Sequence, residues 1–189
     1  GRARVVEACG GTASGLAFAA SVELGMIDGG WLRGARDEVV VERRTDSVTS
    51  ANTLPAPSPS DLPVTIVDSS WDIADVLASS GWLGDLARSS DLVVLVARTT
   101  VPGFRRLEAA IELVGESRAL AATVGAKRWP RPVERTAGAA LRRLRADGRV
   151  VHVTAVPTLA ISGLTPDPLP PALTRPALTL LTLEEGLRS

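Results

Sequence analysis

Short apolar runs alternate with amphipathic stretches along this chain, and that order predicts strands alternating with helices. Residues 5–8 form the first apolar strand, and residues 16–24, short and Ala-rich, read as a buried first helix ending near Gly25. Residues 38–42 give a second strand and 64–67 (VTIV) a third. A helix over 72–88, interrupted around Gly81, leads to the continuous apolar run 92–96, the pattern of a central parallel strand. The clearest helix covers 102–115: Thr100 caps it, Pro102 suits its first turn, Phe104, Leu107, Ile111 and Val114 make one stripe, and Gly115 stops it. A strand at 119–124, a helix at 133–147 with Val133, Ala137, Leu141 and Leu144 inward, and a last strand at 150–153 complete the alternation. The fold class this predicts is α/β, a three-layer, doubly wound, mostly parallel sheet with helices on both faces.

Two segments stand outside the pattern. Residues 45–61 (TDSVTSANTLPAPSPSD) are rich in Ser, Pro and Thr with little to bury, which predicts a flexible loop. The tail from 165 to 189 opens with Pro166, Pro168, Pro170 and Pro171 and then reads as a helix from about residue 172, with Pro176 near its start. The 189 residues, 45% of them apolar, suit a single domain spanning 1–189.

Composition narrows the function classes. Twenty-one basic and 21 acidic residues give a formal net charge of zero, so net charge implies no whole-molecule attraction to nucleic acid or membrane. One Cys excludes an intramolecular disulfide and suits a reducing, cytoplasmic setting. No apolar run approaches the roughly 18–20 residues of a membrane span, and no signal-peptide pattern opens the chain. Arg and Ala richness beside a single Lys and no Tyr suggests a high-GC genome.

The most informative segment follows the first strand. Cys9-Gly10-Gly11-Thr12-Ala13-Ser14-Gly15 has the glycines of a phosphate-binding loop between a strand and an apolar helix, without its charge. In a working loop the backbone N–H groups cradle phosphates, a Lys reaches the β- and γ-oxygens and a Ser/Thr hydroxyl holds Mg²⁺. Gly-rich strand-to-helix turns are also ordinary packing devices.

Together with three further segments this loop resembles the ParA/MinD-like branch of the P-loop ATPases. Residues 64–68 (VTIVD) resemble that family's strand ending in a magnesium-organising Asp, here Asp68. Residues 90–98 (SDLVVLVAR) are similar to its next strand, 121–127 (AATVGAK) stand where a strand ends in an adenine-reading Asn, and 150–161 (VVHVTAVPTLAI) look like its last strand and turn. Against the family's Lys-Gly-Gly-x-Gly-Lys-Thr loop, the two Lys positions fall on Cys9 and Ser14 and the Mg²⁺ hydroxyl on Gly15; the alternative register puts Leu16 and Ala17 there. Gly125 replaces the Asn, and Ser69-Ser70-Trp71 replaces a Pro-containing turn. The resemblance therefore implies a non-catalytic pseudo-ATPase, similar to actinobacterial conjugation- or pilus-associated members, with Gly10, Gly11, Thr12, Ser14 and Gly15 as a degenerate phosphate loop and Asp68 as its acidic neighbour. It implies no cofactor, no metal and no catalytic residue; the alternative is a divergent ATPase binding ATP and Mg²⁺ through Lys127, Arg128 or a second subunit.

The remaining candidates are weaker. Trp71, Lys127, Arg128, Trp129 and Arg131 would form a crevice rim able to receive a protein partner, since Trp and Arg dominate binding hot spots. A homodimer is one arrangement open to such a platform. His152, the only histidine, lies in a core strand and reads as structural. Cys9 reads as a small buried residue, with a reactive thiol at a helix N-terminus as the alternative. Glu42 is the one ribose partner available to a dinucleotide-binding reading, for which the loop lacks the full glycine spacing.

Overall fold

The computed structural model describes residues 2–9 and 15–188. The chain divides into two compact units: unit 1 comprises Gly1–Ala87 with Thr158–Asp167, and unit 2 Arg88–Pro157 with Pro168–Ser189.

Unit 1 is built on a five-stranded mixed sheet. Its strands are β1 (Ala3–Ala8), β2 (Val22–Ile27), β3 (Trp31–Arg36), β4 (Val39–Arg44) and β5 (Thr65–Ser69), in the order β2-β3-β4-β1-β5. The β2–β3 and β3–β4 pairs are antiparallel; β1 lies parallel to both β4 and β5. The expected doubly wound, mostly parallel sheet of a P-loop ATPase is therefore overturned. The physical reason lies at residues 16–36. In place of a helix over 16–24, the chain runs as coil from Gly15 to Ser21 and enters β2, and an Asp28-Gly29-Gly30 turn returns it as β3. Both glycines of that turn have a φ of 75°, which favours glycine and tightens the hairpin. Gly34 of β3 lets the preceding coil close on the sheet, since a Cβ there would lie 2.5 Å from that of Ala20.

One face of this sheet carries an apolar cluster of Val6, Ala8, Trp31, Ala51, Leu54, Val76 and Leu83. Two helices supply part of it: α1 (Ile73–Ala78), capped by the Asp72 carboxylate on the Ala74 N–H, and α2 (Trp82–Ser89), separated at the expected break. The Ser/Pro/Thr-rich segment is tied across this face by three side chains that donate to its carbonyls. Trp31 Nε1 reaches Ala56 at 3.3 Å, Trp82 Nε1 reaches Leu54 at 3.0 Å and Arg4 Nη1 reaches Ser58 at 2.6 Å. Such bonds satisfy carbonyls of a segment with no ladder of its own.

Unit 2 holds a three-stranded parallel sheet, β6 (Val93–Arg98), β7 (Ala119–Gly125) and β8 (Val150–Thr154), in the order β6-β7-β8. Helix α3 (Val101–Val114) connects β6 to β7; Thr100 caps it by accepting the Gly103 N–H at 3.1 Å, and its expected stripe is buried. The predicted helix at 133–147 is two pieces, α4 (Arg131–Thr136) and α5 (Ala139–Ala146), broken at Ala137–Gly138. Glu108 of α3 secures the second piece by accepting the Ala140 and Leu141 N–H groups at 2.8 and 3.1 Å, placing a carboxylate on the positive end of α5. Helix α6 (Pro157–Ser162), all but its first residue in unit 1, is an addition to the expected elements; helix α7 (Pro171–Arg188), which contains Pro176, packs on β8.

Candidate functional site

Strands β1 and β5 run parallel and end together, in a register that sets Glu7 opposite Asp68 on one side and Arg43 on the other. Gly10, Gly11, Thr12 and Ser14 lie outside the described residues. Gly15 marks the far side of the loop, and no helix begins there. Its N–H donates to Glu7 Oε1 at 2.6 Å, and the Leu16 N–H donates to the same oxygen at 3.0 Å. Two consecutive backbone donors thus converge on an anion, and that anion is a side chain of the protein itself. Glu7 is buried and has no place among the sequence-derived candidates. Its signal is a carboxylate in an otherwise apolar strand, just ahead of the glycines.

The local field is negative. Burial pushes the Cys9 thiol up to about 11, with the Glu7 charge as the next cause, Asp68 adding to the rise and a hydrogen bond involving Ser70 opposing it. Burial of its carboxyl, then the Glu7 charge, holds Asp68 above the usual carboxylate range. Cys9 is accordingly a protonated, buried thiol at neutral pH. Among the described residues of unit 1, the ends of β1 and β5 carry the Glu7 and Asp68 carboxylates, and the neighbouring Arg43 of β4 is paired to Glu23. Among the described residues no three His, Cys, Asp or Glu side chains are grouped to hold a metal ion.

Glu42, the ribose candidate, is committed elsewhere. It is fully buried on β4, accepts Arg33 Nε and Nη2 at 2.9 and 2.6 Å, and lies 3.4 Å from Arg4 Nη1.

Trp71 belongs to unit 1, whereas Lys127, Arg128, Trp129 and Arg131 belong to unit 2. Trp71 packs against the apolar cluster and, with Thr49, Ser50, Ala51, Asn52, Asp75 and Ala78, lines a shallow pocket of 340 Å³. Trp129 is half-buried: its ring meets Phe104 edge-on, with centroids 4.7 Å apart and planes at 87°, and the Arg145 guanidinium lies 4.2 Å from its centroid. Lys127, Arg128 and Arg131 are exposed. His152 faces Thr123 across β7 and β8, and both its ring nitrogens are buried with no hydrogen-bond partner among the described residues.

The neutral total conceals a division of charge. Unit 1 carries six Lys/Arg against 13 Asp/Glu, a net of −7; unit 2 carries 15 against eight, a net of +7. The basic residues of unit 1 include Arg4, Arg33, Arg43 and Arg44, all ion-paired to carboxylates. In unit 2, Arg98, Arg105, Arg106, Lys127, Arg128, Arg131 and Arg135 all stand exposed.

No protein-family model matches this chain, and no curated protein matches it. Among the described residues no helix is long and apolar enough to cross a membrane.

Proposed function

We propose that this chain is a non-catalytic binding module that takes a protein partner in a cytoplasmic assembly, with no nucleotide or metal cofactor. One observation carries the reading: the Glu7 carboxylate already holds the Gly15 and Leu16 N–H groups, donors that a phosphate ligand would need. Phosphoryl transfer depends on positioning and charge stabilisation, and the charges gathered at the ends of β1 and β5 have the wrong sign for it. The division of charge between the units supports a recognition role, because complementary charge gives partner choice and association rate.

Calorimetric titration with ATP, with and without Mg²⁺, tests the reading: no saturable heat is expected, and micromolar affinity overturns it. Affinity capture from the native host, followed by reconstitution with the purified partner, tests its positive half.

A further inference from the structure

Strand β6 forms one edge of the unit 2 sheet. Its alternate residues Val94, Val96 and Arg98 share a face by the two-residue period of a strand, and all three are exposed, Val94 by 44% and Val96 by 68%. Their partners in register on β7, Leu120 and Ala122, are buried, so the opening is confined to the edge strand. Leu95, on the opposite face, is buried as well. Proteins ordinarily blunt such an edge with a central charge, a proline or a bulge. β6 has none of these; its one charge lies at its C-terminal end. At that end Val124 of β7 is the register partner of Arg98, and the exposed Lys127 and Arg128 follow the last residue of β7, Gly125, by two and three positions.

We propose that β6 receives an extended, acidic-ended segment of the protein partner, which adds a strand to the sheet. Backbone hydrogen bonds to the β6 edge would supply affinity, small apolar side chains would cover Val94 and Val96, and carboxylates at one end would meet Arg98, Lys127 and Arg128. The net charge of +7 on unit 2 favours an acidic ligand. Two features favour protein over nucleic acid. Exposed valines offer nothing to a phosphate backbone. Trp129, the aromatic nearest the cations in sequence, already packs against Phe104 and carries the Arg145 guanidinium over its ring, where a stacked base would compete with it. This inference rests on the protein-binding reading above.

The test uses the whole chain and synthetic peptides alternating Val with Thr, with an Asp pair at either the N- or the C-terminal end, followed by fluorescence anisotropy. Salt-dependent binding of one of them is expected, with the Lys-ended counterpart silent and affinity falling roughly tenfold or more in Arg98→Glu and in Val96→Asp. Slower amide exchange along 93–98 of the wild-type chain on peptide addition gives a second readout independent of any variant. Equal binding of the Lys-ended peptide, unchanged affinity in both variants, or unchanged exchange along β6 overturns the proposal. So does displacement of the peptide by an oligothymidylate or by phosphatidylserine vesicles. These outcomes are separable from failure of the broader reading, which is decided by ATP titration and by affinity capture with reconstitution.

Discussion

Glu7 and Gly15 are joined by a 2.6 Å hydrogen bond in which the carboxylate accepts a backbone N–H, and the same oxygen takes the next N–H at Leu16. Hydrogen bonds to a charged acceptor are worth about 1.5–3 kcal/mol each where water is excluded. Loss of both bonds in Glu7→Ala is therefore expected to lower unfolding free energy by about 3 kcal/mol or more in urea titrations, and to create no ATP affinity, since no lysine replaces it. Unchanged stability would show that the carboxylate is not holding the turn.

Glu7 also raises the Cys9 and Asp68 values, so Glu7→Gln should bring the Cys9 thiol below about 11. Ultraviolet titration of the thiolate in native protein measures this directly, and an unmoved midpoint would refute the electrostatic assignment.

Cys9 further sets an alkaline limit. Its folded value of about 11 exceeds the ordinary thiol value of 9.0, so the unfolded chain releases the thiol proton first and the folded form binds more protons between those values. Stability should then fall as pH rises through 9 to 11. A Cys9→Ser chain should show a shallower fall over that window, and iodoacetamide should label native Cys9 far more slowly than the urea-unfolded chain.

The Arg4–Glu42–Arg33 group predicts a sharp response to truncation. Removing one partner of a buried ion group costs about 3–5 kcal/mol because the other charge stays behind. Glu42→Ala should lose about that much, and the additional change Arg4→Met should restore part of it. Independent, additive losses in this double-mutant cycle would argue against the coupling.

Much of unit 2 was legible in the sequence because its signals are local. Thr100, Pro102 and Gly115 punctuate α3, and a 3.6-residue stripe fills it. Unit 1 is obscured at 16–36 because Ala-rich 16–20 mimics a buried helix, while β2 and β3 carry Gly25, Gly34 and a register shift between Glu23 and Gly25 that blur their alternation. The Asp28-Gly29-Gly30 turn was the available hairpin signal. At the candidate site, Asp68 stands in register with Glu7 where β5 pairs with β1, but Glu7 itself is hidden in the sequence: a strand carboxylate becomes an internal ligand only when the chain returns to it, as it does at Gly15. The charge division was hidden differently, since a whole-chain sum cancels what a sum over each unit reveals.

That division has a consequence for handling the molecule. Two bodies of opposite sign on one chain give each copy something to attract in every other copy, most strongly near the isoelectric pH of about 6.8. The screening length is about 30 Å at 0.01 M salt and about 8 Å at 0.15 M. Turbidity should consequently form at low ionic strength and clear as salt is added, the reverse of apolar aggregation, and a chain with no formal charge should bind both anion and cation exchangers.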